Sequence, residues 1–414
     1  MSERLLPAVV LGVDTPIGLA IIRDLGRRGV PVYGIGREPA AIGLASRYLY
    51  RGLTRAGGGP AGLQAQLGAL SAEIGAACLF AIAESDIEAL NLMRAKLPGY
   101  RLMFADAARM ERVLHKDRTY AVAAGLGIHV PRTAQCATLE QAAALAPRLR
   151  YPVVLKWANP TAIEGPLQRA GLALDKVHYS HSAEELLAYL RPYQRVGQFP
   201  LIQEYCAGHG LGQFVLMRGG QAHYLFQHRR VHEWPPEGGV SSLCVSLPLE
   251  QHAALMQQSV ALLRALDWEG VAMVEYRYDA ATGQAALMEV NGRFWGSLPL
   301  ACQAGAAFPW FSYQLFGLQQ AVTQQPYQAG LRCRFMVPET KRLLTLLARP
   351  ARGGPHQLRV RRWRELGGYL ADFVRPRTCY FVHDWRDPAP LWRDLLQALR
   401  RLPRLSGSLS GRKT

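Results

Sequence analysis

The stretch Leu287-Met288-Glu289-Val290-Asn291-Gly292-Arg293-Phe294-Trp295-Gly296-Ser297 decides how the rest of the chain is read. It is a short apolar strand ending in a carboxylate, an amide and a guanidinium. Glu289 and Asn291 stand two apart, so on a strand they share a face. Both offer hard oxygen donors of the kind that suit Mg2+. Arg293 adds a planar fork that matches phosphate. One reading is the metal and phosphate end of a nucleoside-triphosphate site. The other is an edge strand with a solvated polar face, and the stretch alone supports both equally.

Just upstream, residues 270–279 (GVAMVEYRYD) read as a strand, and Ala280, Thr282 and Gly283 turn the chain back. Residues 285–291 are then its hairpin partner, which brings Glu275 across from the opening stretch. Two paired strands carrying Glu275, Glu289 and Asn291 make a two-metal cradle. Like charges this close repel, and a cation between them resolves the conflict.

Further out, residues 213–218 and 221–230 form a hairpin across Gly219-Gly220. The run from His228 to Ser242 is dense in Arg, His, Glu, Gly and Ser. It reads as an anion or substrate loop, or as a solvated hairpin end. Residues 200–210 are a strand entering a glycine turn. Residues 151–157 (YPVVLKW) are a strand with Lys156 inside an apolar run, which is costly unless the ammonium meets an anion. Lys156 is thus a candidate phosphate ligand, with a snorkelling edge lysine as the alternative. Residues 158–171 read as a mobile loop and 172–179 as a strand.

The N-terminal region alternates strands (7–13, 30–35, 77–81) with helices, which argues a small parallel sheet. Thr15 and Pro16 cap the first helix. GVDTPIG is not GxGxxG and no acid ends the second strand, so a structural module is favoured over a dinucleotide site. Glu84 and Asp86 sit at a strand's carboxyl end, as helix caps or ligand contacts. Residues 105–125 read as one helix with Lys116 in its middle. After residue 325 come a strand (330–338), a short helix (341–348), a basic linker to about Arg364 and a final amphipathic helix from 385 to about 402.

At 414 residues the chain is long enough for two or three subdomains, and 49% hydrophobic residues support a full core. The apolar run at the N-terminus is too short for a signal peptide, and no segment has the apolar length of a membrane span. The chain is read as cytoplasmic. Seven scattered cysteines form no CxxC pair, so neither a zinc site nor a disulfide framework is expected. The net charge of +17 reflects an arginine-rich composition or an anionic partner. No nucleic-acid-binding signature accompanies it.

Taken in order, HKDRTYAVAAGLGIHVPRT, YPVVLK, LIQEYCAGHG, VAMVEYRYD and ALMEVNGRFWGSLPLA resemble the ATP-grasp superfamily of carboxylate–amine and carboxylate–thiol ligases. Within it, the chain looks most like carbamoyl-phosphate-synthase-like proteins. The resemblance covers about residues 5–320. It implies an α/β N-terminal module with a small parallel sheet (1–105), followed by α+β ATP-grasp lobes with antiparallel sheets (106–205 and 206–320). Residues 321–414 are then a basic C-terminal extension. ATP would lie between the lobes. Lys116 and Lys156 match the family's phosphate- and adenine-side lysines, and Gln203, Glu204, Tyr205 and Cys206 the adenine-holding segment. Glu275, Glu289 and Asn291 match the ligands of Mg2+ (or Mn2+), and Arg293 the phosphate-contacting arginine. Arg230 and the Gly238-Gly239 turn are candidates to hold the acyl phosphate or acceptor. Relatives have a glycine-rich loop after the second lysine, whereas here only Gly165 and Gly171 break residues 157–174.

The implied activity is ATP-dependent ligation of a small-molecule carboxylate to an amine through an acylphosphate, with ADP and phosphate released. The alternatives are a phosphotransferase or carboligase, or a nucleotide-binding regulatory or membrane-associated protein. No nucleic acid partner is expected. The basic C-terminus leaves room for peripheral membrane contact, and the resemblance leaves room for a homodimer.

Overall fold

The computed structural model describes residues 5–158, 160–175, 177–236, 238–348 and 362–400. The N-terminal strands β1 (Ala8–Leu11), β2 (Val32–Gly36), β3 (Arg51–Thr54), β4 (Ala77–Phe80) and β5 (Tyr100–Leu102) form an all-parallel sheet in the order β3-β2-β1-β4-β5. Helices α1 (Pro16–Gly26), α2 (Gly59–Ile74) and α3 (Glu84–Leu92) connect them. Thr15 caps α1 through its hydroxyl, with Pro16 in the first turn. β1 and β4 are buried throughout, as parallel strands covered on both faces must be.

A small antiparallel sheet follows, in the order β6-β9-β7-β8, from β6 (Thr133–Ala134), β7 (Val153–Lys156), β8 (His178–Ser180) and β9 (Leu201–Glu204). Helices α4 (Ala107–Leu114) and α5 (Lys116–Gly125) lead into it, and α6 (Leu139–Leu145), α7 (Pro160–Arg169) and α8 (Ala183–Leu190) accompany it. Its core, which includes Leu155, Ile163, Leu167, Leu186 and Ile202, is separate from the others.

The largest sheet has seven strands in the order β14-β13-β10-β11-β12-β15-β16. They are β10 (His209–Arg218), β11 (Gln221–Trp234), β12 (Val240–Leu247), β13 (Gly270–Asp279), β14 (Gln284–Asn291), β15 (Arg332–Arg334) and β16 (Thr378–Tyr380). Gly219 and Gly220 both have positive φ (57° and 70°), which the tight β10–β11 turn requires. Helices α9 (Ala253–Ala265), α10 (Leu298–Gln303), α11 (Phe308–Ser312), α12 (Met336–Ala348), α13 (Arg362–Val374) and α14 (Ala389–Arg400) complete the chain. Two apolar cores join this sheet to the N-terminal module, one through Phe80, Phe214 and Trp295, the other through Leu79, Val274 and Leu287.

The structure corrects several expectations. Residues 158–171 are not a loop, because α7 fills most of the stretch. Ile163 and Leu167, four apart, both bury into the small core, and this outweighs Gly165 and Pro166. The strand expected over 172–179 shortens to β8. The helix expected over 105–125 breaks at His115, which puts Lys116 at the start of α5 rather than mid-helix. The strand expected over 330–338 is three residues long, and Pro338 lies in the first turn of α12. The linker expected up to Arg364 falls mostly outside the described residues, but α13 already begins at Arg362.

Residues beyond 320 close the molecule on itself. They supply β15 and β16, and a buried ion pair ties them to α1. Arg23 Nε donates to Asp387 Oδ2 at 2.9 Å, and its other nitrogens donate to the carbonyls of Val382 and Asp387. The Ser46 hydroxyl and the Arg47 amide also donate to the Asp387 carboxylate. The seven cysteines are free thiols.

Candidate functional site

The β13–β14 hairpin sets Glu275 directly opposite Glu289, with a register irregularity immediately after Glu275. β14 is the edge strand of the large sheet, so the edge reading was right about position. Its polar face is nevertheless partly covered. Helix α5 lies against β14, where the Tyr120 hydroxyl donates to the Met288 carbonyl at 2.7 Å. From the first turn of α5, Lys116 Nζ reaches Glu289 Oε2 at 3.0 Å. The Asn291 amide nitrogen donates to Glu289 Oε1 at 3.0 Å, which leaves its oxygen as a further hard donor.

Glu275 is neutralised from the other side. β10 separates β13 from β11, yet Arg230 on β11 reaches across it to place Nη2 2.5 Å from Glu275 Oε2. The crossing depends on glycine. A Cβ on Gly210 would come 2.6 Å from Arg230 Cδ, and one on Gly212 would come 2.6 Å from His228 Nε2. Two glycines at alternate positions leave this face of β10 bare, and flanking side chains lie over it. Beyond Arg230 the charges alternate again. Glu233 stands 3.8 Å from Arg230 and 3.5 Å from Arg277, and Arg277 also donates to the Gly208 carbonyl.

The two carboxylates are shifted in opposite directions. Burial pushes Glu275 up, and the Glu289 and Glu233 charges add to that against the opposition of Arg230. Burial also works against the Glu289 charge, but Lys116 and the Asn291 amide outweigh it and hold its pKa down. Lys156, at the end of β7, feels the same cluster from the small sheet. Burial, and then the Lys116 charge, lower its pKa to about 8, partly countered by Glu289 and Glu275. Buried His228 beside Arg230 is held neutral, and neither ring nitrogen has a hydrogen-bond partner among the described residues.

Lys116, Glu289, Asn291, Glu275 and Arg230 thus stand together, with Lys156 facing them. Arg293 points elsewhere: its Nε donates to Glu84 Oε1 at 2.9 Å, so this arginine joins the N-terminal module to the site strand. Gln203 is buried and donates to the Thr133 hydroxyl at 2.8 Å. Glu204 lies 4.0 Å from His129, Tyr205 is exposed, and burial raises the Cys206 thiol to about 11. Sequence reasoning missed Arg277, Tyr120 and the paired glycines, and took in Glu233 only as part of the run from His228 to Ser242. The alternating glycines of His209-Gly-Leu-Gly were the available signal for the last of these.

Among the described residues, no group of three or more His, Cys, Asp or Glu side chains converges on a metal position. Two opposed carboxylates, an amide oxygen and a cleared strand face still fit Mg2+. That ion keeps waters and phosphate oxygens rather than taking an all-protein cage.

A parallel N-terminal sheet, a small antiparallel sheet and a large sheet carrying opposed carboxylates define the ATP-grasp fold. The chain has the ATP-grasp fold, and residues 201–337 match the family described as "ATP-grasp in the biosynthetic pathway with Ter operon". It is 26% identical over 198 residues to the N-terminal section of the carbamoyl phosphate synthase large chain of Methanopyrus kandleri. The match covers 47% of this chain and only 34% of that protein. Among solved structures, it resembles the biotin carboxylase domain dimer of Hydrogenobacter thermophilus 2-oxoglutarate carboxylase, in complex with MgADP, ADP and bicarbonate. That TM-score is 0.61 at 15% identity, over 80% of this chain and 74% of that one. An L-amino acid ligase from Bacillus licheniformis superposes with TM-score 0.54 at 16% identity, over 76% and 75% of the two chains. N5-carboxyaminoimidazole ribonucleotide synthetase from Thermus thermophilus gives 0.55 at 14%, over 78% and 79%.

Proposed function

We propose that the chain is an ATP-dependent ligase that activates a substrate carboxylate as an acylphosphate and joins it to an amine, releasing ADP and phosphate. One observation carries this reading. Glu275 and Glu289 stand opposed on paired strands, each neutralised by a cation from a separate element, with Lys156 facing them from the second sheet. Phosphoryl transfer asks a protein mainly for positioning and charge neutralisation, which such an array offers without a protein nucleophile. The relatives' names support the class: one is an amino acid ligase, and another binds MgADP.

In this reading Glu275, Glu289 and Asn291 would hold Mg2+ or Mn2+, which would supply neutralisation of phosphate charge. Lys116 and Lys156 hold the phosphates. Gln203, Glu204, Tyr205 and Cys206 line the adenine side through the end of β9. Arg230, paired with Glu275 in the free protein, is the candidate to hold the acyl phosphate or acceptor. Arg293 is the phosphate-contacting arginine, held on Glu84 in the free protein. The division into residues 1–105, 106–320 and 321–414, and a cytoplasmic setting, belong to the same reading.

The test is ADP release measured with pooled carboxylates and amines. Release that requires both supports the ligase. Release of AMP instead of ADP overturns the acylphosphate mechanism.

A further inference from the structure

Helices α13 and α14 are turned inside out. In α14, Trp392, Leu395, Leu396 and Leu399 recur at i, i+3, i+4 and i+7 and so form one apolar stripe. That stripe faces solvent: Trp392 is 64% and Leu399 63% exposed. The polar side does the docking. Arg393 donates to the carbonyls of Pro39 and Ala41, at 3.3 and 3.2 Å, and Gln397 donates to that of Ala40 at 2.5 Å.

α13 repeats the arrangement. Trp363, Leu370 and Val374, at i, i+7 and i+11, face outward, with Trp363 86% and Val374 85% exposed. Inward lie Glu365 on Arg342, Asp372 on Arg332 and the Tyr369 hydroxyl on Thr340. Between the two helices, Trp385 is 88% exposed. Large apolar side chains exposed in this density mark an interaction surface rather than ordinary scatter.

Charge selects the occupant. Residues 349–361, which run into α13, and residues 401–414, which follow α14, carry eight Lys and Arg and no Asp or Glu. Two copies meeting through this surface would bring like charges together. Exposed tryptophan and leucine flanked by arginine match the interface of a bilayer with anionic headgroups. No described helix is long and apolar enough to cross a membrane, so the contact is one of lying on the surface. We propose that α13 and α14 dock the protein on an anionic lipid surface.

Point substitutions test this better than truncation, because removing residues beyond 350 would also remove Asp387 and strand the buried Arg23 charge. Flotation of the full chain is measured with vesicles of phosphatidylcholine alone and of phosphatidylcholine mixed with phosphatidylglycerol. The wild type binds the mixed vesicles in a salt-sensitive manner and binds the neutral ones far less. Trp392→Glu with Leu396→Glu, and Trp363→Glu with Leu370→Glu, each weaken binding by roughly tenfold or more while leaving the circular dichroism and the melting temperature unchanged. Should a variant fail to fold, quenching of wild-type tryptophan fluorescence by brominated acyl chains in mixed vesicles gives the same answer. Absence of wild-type binding, unchanged binding by both variants, or no quenching overturns the proposal. So does a concentration-dependent dimer abolished by the same substitutions, which would assign the surface to a second copy.

Discussion

The charged site and the C-terminal helices depart from the usual distribution of side chains in opposite directions. In the site, Glu275 and Arg230 are mostly withdrawn from water, Glu289 and Lys116 are half-buried, and the four are paired with one another. On α13 and α14, Trp363, Trp392 and Leu399 are left in water while Glu365, Asp372 and Arg393 are spent on docking. Neither arrangement improves the stability of the isolated chain. Partnered buried charge roughly breaks even against apolar packing, and exposed apolar area contributes nothing to the core. Both make sense as surfaces completed by something else, a polyanion with its metal in one case and a lipid face in the other.

The sharpest way to break this contrast is to remove one carboxylate of the opposed pair. Glu289→Gln should lower turnover by roughly a thousandfold, as loss of preorganised charge does, with the thermal transition intact. Unchanged turnover would strip the opposed pair of its role. Next in size is Asp387→Ala, which leaves Arg23 buried without its partner. It should cost about 3–5 kcal/mol in chemical denaturation, whereas the same change at an exposed ion pair such as Arg118–Glu111 would cost less than about 1 kcal/mol. Gly210→Ala should displace Arg230 from Glu275 and slow turnover by about tenfold. Turnover equal to wild type there would mean that the crossing arginine is not needed.

The smallest expected effect concerns protons. In the free protein Lys156 loses its charge as pH rises through about 8, while a bound phosphate favours the charged form. Nucleotide binding above pH 8 should therefore take up a fraction of a proton and weaken as pH rises further. Calorimetry in buffers of different ionisation enthalpy would read this uptake, and Lys156→Met should remove it.

How much of this was legible in the sequence follows from the range of each interaction. Glu275 opposite Glu289 could be read because a period of two and one short turn fix the register. Lys156 stood out because its strand is otherwise apolar. Arg230 on Glu275 was out of reach, since it depends on β10 inserting between β11 and β13, a matter of strand order rather than local pattern. The contact between Arg293 and Glu84 was out of reach as well, because the two lie 209 positions apart. Helix α7 hid behind Gly165 and Pro166, whose local preference yields to the burial of Ile163 and Leu167. The apolar periodicity of α14 was visible, but a stripe alone does not say whether it turns toward a core or away from one.

The Arg23–Asp387 pair also sets a schedule. Arg23 lies on α1, yet its carboxylate partner lies 364 positions later. At about 5–20 residues per second, a ribosome needs on the order of 20–70 seconds to reach it. Throughout that interval the nascent N-terminal module holds a guanidinium whose counter-charge has not yet been synthesised. Its final packing therefore waits for Asp387 to emerge, and a chain released before that point would present the unfinished seam to chaperones and proteases.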